Sequence, residues 1–196
     1  SRQDIKVIYL DKDETKILMD HINHGVGNSN AQAKQNAWKE RDLAIIRLMI
    51  HSGLRVSAVC NINMEDLFLD DNFIRVIEKE NYKRDIYLDE TTIGFIKEWI
   101  EYREINDITA DALFVSNQRK RMNPAAINKL VKKYTKGIDK HITAHKLRAT
   151  FATNIYENTG DIFLTAELIG HQNVETTKRY ANISIERKMA ALKSIE

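Results

Sequence analysis

Residues 143–153, T-A-H-K-L-R-A-T-F-A-T, and residues 168–180, L-I-G-H-Q-N-V-E-T-T-K-R-Y, decide how the rest of the chain is read. His145 and Arg148 stand three apart, so on a helix both point to one side. Thr143 is a capping residue type and would leave them in or near the first turns, where free backbone N–H groups favour an anion. The apolar residues Leu164, Leu168 and Ile169 run up to Gly170, a natural helix stop, and His171 follows directly. Tyr180 comes nine positions after His171, behind the patterned segment that starts at Val174.

Around this stretch lies a basic block. Between Val115 and Thr150 ten basic residues face the single acid Asp139, a local charge of +9 in a chain whose total is +2. Arg119, Lys120, Arg121, Lys129, Lys132, Lys133 and Lys146 are the candidate contacts in it, and such a concentration is the electrostatic footprint of nucleic acid. Alone it would read as a solvated helix face; beside H-x-x-R it points to phosphate. At 196 residues, 43% hydrophobic and 30% charged, the chain fits one globular domain with a sizeable core. No apolar run approaches the ~20 residues that span a bilayer, and no signal peptide is visible at the start. Cys60 is the only cysteine, which rules out an internal disulfide and suits a reducing compartment; its apolar neighbours read as core filler.

The remaining periodicities predict a mainly helical protein with a small antiparallel sheet. Asp11 and Glu14 form a capping-box pattern ahead of Ile17, Leu18 and Ile22. His21 and His24 at the end of that helix lack the partners of a metal site and read as charge complements to its C-terminus. Residues 25–36 are polar and read as a flexible loop. Residues 38–51 predict a strong helix with Leu43, Ile46 and Ile50 on its buried stripe, ended by Ser52-Gly53, with Arg55 opening the next turn. Residues 73–78 and 83–88 are β-prone runs that predict a hairpin with Lys79 near its tip. A helix over 90–103 follows, with Ile93, Ile96 and Ile100 inward, and Leu113-Phe114-Val115 is a short buried strand candidate. Asn123-Pro124 starts a basic helix, and Ser184 reads as the cap of a last helix bearing Ile185, Met189 and Leu192.

Taken with S-G-L-R-V-S at 52–57, these residues resemble the catalytic domain of the tyrosine recombinases, the phage integrase family. Arg55, Lys79, His145, Arg148, His171 and Tyr180 fall in order on the family's arginine, hairpin lysine, H-x-x-R, L-G-H and tyrosine. Any one of these occurs by chance; the ordered set is specific, and the likeness runs from near Tyr9 over nearly the whole chain. The resemblance implies the DNA breaking-rejoining fold, with residues 1–196 forming the catalytic domain without the core-binding and arm-binding domains that usually precede it. It implies site-specific recombination of double-stranded DNA through a 3′-phosphotyrosyl bond, with Tyr180 as nucleophile, no cofactor and no metal. It further implies a homotetramer on DNA, linked through the C-terminal helix, in the bacterial cytoplasm at the nucleoid, with no membrane role. Integration or excision of a mobile element or prophage is preferred to chromosome-dimer resolution. Type IB topoisomerase-like relaxation, or an impaired DNA-binding protein of the same fold, are the alternatives.

The chain departs from the family pattern at several places. Ala58 stands where an acid usually follows the first arginine by three positions, Ala149 replaces a histidine after H-x-x-R, and Glu78 and Glu80 replace the glycines flanking the hairpin lysine. Lys83 and Arg84 lie close by, and Lys83 is the alternative to Lys79.

Overall fold

The computed structural model of the chain describes residues 7–78, 81–170 and 174–196. Helix α1 (Lys12–His24) begins at the expected reciprocal cap: Asp11 accepts from the Glu14 amide at 2.8 Å, and the Glu14 side chain accepts from the Asp11 amide at 3.0 Å. His21 does more than complement the helix end, since its Nδ1 meets the Tyr134 carbonyl at 2.7 Å and ties this helix to a distant one. Residues expected as loop contain a further helix, α2 (Ser29–Asn36). Asn28 caps it by accepting from the Ala31 amide, and Gln35 folds back onto both backbone groups of Val26. These local hydrogen bonds hold a polar helix that buries no side chain, so hydrophobic periodicity gave no sign of it.

The centre of the molecule is α3 (Lys39–Ser52), in which Leu43–Ile46 and Leu48–Ile50 are all buried. Each buried leucine, isoleucine or methionine among them contributes about 2 kcal/mol of transfer free energy. Helices α5 (Glu90–Ile105) and α7 (Ala144–Thr159) pack on its sides. α3 stops at Gly53, whose φ of +68° is left-handed and whose added Cβ would lie 2.4 Å from the Phe151 ring. Both conditions demand glycine there. Arg55 then takes the N-cap position of the short helix α4 (Val56–Asn61).

The sheet has three antiparallel strands in the order β1 (Leu67–Phe68), β2 (Phe73–Ile77) and β3 (Lys83–Tyr87), so the expected hairpin gains a third strand. Ile74 pairs with Ile86 and Val76 with Arg84 on the inner face; Arg75 pairs with Asp85 on the outer. Leu113–Val115 is buried as expected but makes no strand. The Trp99 indole and the Arg103 guanidinium donate to the Leu113 carbonyl at 2.8 and 2.9 Å, so side chains of α5 occupy an acceptor that a neighbouring strand would need. Only isolated bridges, Asn63 to Ala112 and Val115 to Arg121, remain.

Helix α6 (Pro124–Tyr134) starts from the Asn123 cap with proline in its first turn. α8 (Ile162–Ile169) ends on left-handed Gly170, as its sequence suggested. The final helix corrects a sequence expectation. α9 runs unbroken over Val174–Lys193, so Tyr180 lies inside it and Ser184 starts no new helix. Among the described residues no helix is long and apolar enough to cross a membrane.

Candidate active site

Arg148 is the structural anchor of the site. It lies in the second turn of α7 with 5% of its surface exposed, and its Nη1 donates to the Gly53 carbonyl at 2.6 Å. The glycine that ends α3 therefore also holds the arginine of H-x-x-R. Arg148 Nη2 is buried without a partner among the described residues. Burial, and then the positive charge of Arg55, push the Arg148 pKa down to about 10, with Arg84 adding to the effect and Tyr180 and Glu78 opposing it. A guanidinium under such like-charge pressure is a site waiting for an anion. Arg55, five residues after the end of the buried Leu48–Ile50 run and exposed at the start of α4, faces solvent from the same corner.

His145 is exposed in the first turn of α7. Thr143 occupies the N-cap position without donating its side chain to the task. The Ala144 amide instead finds Asn128 Oδ1 of α6 at 2.9 Å, so a neighbouring helix supplies the cap. Partial desolvation, followed by the charges of Lys146, Arg179, Arg148 and Arg55, holds the His145 pKa below the ordinary histidine value. At neutral pH its imidazole is uncharged and able to accept a proton.

Tyr180 has 3% of its surface exposed and packs against Ala149, Phe151, Ala152 and Ile169. The Arg179 guanidinium lies 5.2 Å from the centre of its ring. Thus α7 and α9 bring Tyr180, His145 and Arg148 to one region, with Arg55 joined through the Gly53 corner. Lys79 and His171 lie outside the described residues. Of the two hairpin lysines, Lys83 is described: it is exposed on the outer face of β3, opposite Ile77, whereas Arg84 points inward. Ala58 borders a cleft of about 470 Å³ also lined by Glu65, Asp66 and Glu78.

The basic block is thinner than its sequence suggests. Arg119 donates to the Asn106 carbonyl at 2.8 Å, and Arg121 to the Cys60 carbonyl at 2.8 Å and to Asn63, so both hold loops together. The Lys133 ammonium sits 4.6 Å from the centre of the Tyr134 ring, where burial lowers its pKa. Lys120, Lys129 and Lys132 remain exposed and Lys146 half-buried beside His145. Cys60 is buried filler, its thiol pushed up to about 11 by desolvation. Two cations were not among the candidate site residues, Arg84 and Arg179; each acts on the site by proximity, and each had a positional signal, Arg84 near the hairpin lysine and Arg179 next to the tyrosine. Among the described residues no three His, Cys, Asp or Glu side chains gather as metal ligands.

The fold and site together define a helical domain that presents two arginines, an uncharged histidine and a tyrosine around one polar corner. The model of the phage integrase family matches residues 9–187, and the chain belongs to that family. Among curated relatives, tyrosine recombinase XerC of Caldanaerobacter subterraneus subsp. tengcongensis is 38% identical over 181 residues, covering 90% of this chain and 47% of its own length. Tyrosine recombinase XerC of Alcanivorax borkumensis is 29% identical over 181 residues, covering 90% of this chain and 56% of its own. The chain thus spans about half the length of the curated relatives it matches. Among solved structures, XerA recombinase is similar with a TM-score of 0.79 at 29% identity, over 98% of this chain and 65% of that one. XerH recombinase bound to palindromic difH in a post-cleavage complex has a TM-score of 0.78 at 22% identity, over 95% of this chain and 53% of that one, a likeness of fold.

Proposed function

We infer that this domain cleaves and rejoins double-stranded DNA by site-specific strand transfer through a 3′-phosphotyrosyl bond. The observation that carries the reading is Arg148: one end of its buried guanidinium is tied to Gly53, and the other is unpartnered among the described residues beside Arg55, Tyr180 and uncharged His145. Arg55 and Arg148 grip the non-bridging oxygens of the scissile phosphate, where planar guanidinium forks match the acceptor geometry. His145 takes the proton of the Tyr180 hydroxyl, since a phenol becomes a good nucleophile only as its proton is removed. The tyrosine oxygen bonds to phosphorus, the bond to the 5′ oxygen breaks, and Lys79 protonates that oxygen; His171 donates a further hydrogen bond to the phosphate. The outward direction of Lys83 favours Lys79 as the acid. The new ester conserves the energy of the old one, so rejoining needs no ATP, and the arginines supply the charge that a metal supplies in many nucleases.

Tyr180, at 3% exposure, reaches phosphorus only if α9 shifts or DNA draws the ring out. The exposed cations Lys120, Lys129 and Lys132, with Lys146, are the candidate backbone contacts. On α9, Ile185, Met189 and Leu192 are 56%, 60% and 59% exposed, and so available to a neighbouring protomer of a tetramer on DNA. As to biological role, the absence of glycines beside the hairpin lysine is the feature that favours a mobile element. Relatives named tyrosine recombinase XerC favour the resolution of chromosome dimers at the nucleoid instead.

The test is covalent trapping on a nicked, labelled half-site in EDTA, with Tyr180→Phe alongside. An adduct that survives detergent and vanishes in the variant is the expected result. Salt-sensitive binding without any adduct would mean a DNA-binding relic, and relaxation of supercoils without strand transfer a topoisomerase.

A further inference from the structure

Arg84 has no part in the chemistry proposed above, yet it touches both segments that flank the undescribed residues of the site. Its side chain leaves the inner face of β3 and is 15% exposed. Nε lies 3.1 Å from Glu78 Oε1 at the other end of the hairpin turn, where the Glu78 amide also donates to the Tyr82 carbonyl at 2.8 Å. Nη1 reaches the Glu167 and Leu168 carbonyls in the last turn of α8 at 3.3 and 3.4 Å, the first of which also accepts from the Gly170 amide at 3.1 Å. A cation there also complements the negative end of the helix. The guanidinium lies flat against Gly170, so that a Cβ on that residue would come within 2.8 Å of Arg84 Cζ. Gly170 is thus held to glycine twice, by its φ of +73° and by Arg84.

We propose that Arg84 is a positioning residue that docks the β2–β3 hairpin onto the C-terminal corner of α8, with Glu78 as its counter-charge. The proposal rests on the strand-transfer reading, in which the hairpin turn carries the acid Lys79. It gives the Glu78 departure a purpose: the carboxylate in place of a glycine sets a counter-charge on one side of the guanidinium while the α8 carbonyls accept its hydrogen bonds on the other. Misplacing a catalytic group by about 1 Å costs up to ~100-fold in rate, so loss of the dock acts on the rate through the position of the hairpin.

The experiment compares the full chain with Arg84→Ala and Arg84→Lys on two half-sites, one with the ordinary scissile phosphate and one with a 5′-bridging phosphorothiolate. The thiolate of the second leaves without being protonated, because a thiol is far more acidic than an alcohol. Arg84→Ala is expected to form adduct roughly 10- to 100-fold more slowly on the ordinary half-site. On the phosphorothiolate it should come within about threefold of the unsubstituted chain, a small residual for a step that no longer needs the acid. Arg84→Lys keeps the charge without the fork and should show the same rescue with a smaller defect. Equal slowing on both half-sites, or no slowing on either, overturns the proposal; melting curves of both variants distinguish lost folding from lost positioning. If the unsubstituted chain reacts with neither half-site, the strand-transfer reading itself fails and takes this one with it.

Discussion

The two halves of the site are built differently. The half that would hold phosphate, Arg148 with the Gly53 corner, is set into the most buried helices of the molecule, α3 and α7. The half that would do the bond-making centres on Tyr180, which sits on an element with fewer internal supports. Tyr180 belongs to a small satellite cluster, and beyond it the described side chains of α9 from Ile185 onward are exposed, tied back by an ion pair from Arg187 to Glu157. The difference has a physical logic. Charge stabilisation improves when donors are rigid before substrate arrives, whereas a nucleophile that must be withheld until the right complex assembles needs an element that can move at low cost.

Breaking the rigid half should have the largest effect. Arg148→Ala removes the fork and leaves the Gly53 carbonyl without its donor, and cleavage should fall about 10²- to 10³-fold, measured as single-turnover adduct formation at saturating DNA. Next comes Gly53→Ala, which strains a left-handed φ and drives a methyl into Phe151. It should cost roughly 2–4 kcal/mol of stability, read from denaturant melts; an unchanged midpoint would mean the corner is more pliable than its packing implies.

The contrast is sharpened by pH. Because His145 acts uncharged and its pKa is held below the usual value, adduct formation at subsaturating DNA should rise with pH, with its midpoint below the ordinary histidine pKa of ~6.5. Arg179→Gln, which removes one of the depressing charges, should move that limb upward, and His145→Gln should abolish it. The smallest effect on stability belongs to the exposed end of α9. Ile185→Ser with Met189→Ser should change the unfolding free energy by less than ~0.5 kcal/mol, since both side chains are exposed. Strand exchange between two sites should nevertheless fall while half-site cleavage persists; loss of both together would show that α9 serves its own protomer.

Much of this architecture was legible because it depends on neighbours in sequence. The Asp11–Glu14 box, the Asn123-Pro124 start, the stops at Gly53 and Gly170 and the buried stripes of α3 and α5 all follow from spacings of three or four residues. α2 escaped notice because it has no apolar stripe and rests on Asn28 and Gln35. Leu113–Val115 was misjudged because what distinguishes a strand from a buried loop is the partner of its carbonyls. Here the partners are Trp99 and Arg103, more than nine residues away.

By itself, then, the order of residues determined the helical class, the hairpin, and the set of side chains that identify the family, since each depends on residue type and short-range periodicity. Charge counting along the chain could not tell which cations are free. Arg119, Arg121 and Lys133 are engaged inside the molecule, Arg84 crowds the site from the hairpin, and Arg179 lies over the Tyr180 ring. Only the tertiary structure decided those matters, and with them the burial of Tyr180, the lowered pKa of His145 and the tie from Arg148 to Gly53. Desolvation, Coulomb interaction and long-range hydrogen bonds act through space, across 95 residues of chain in the last case, and no local pattern encodes them.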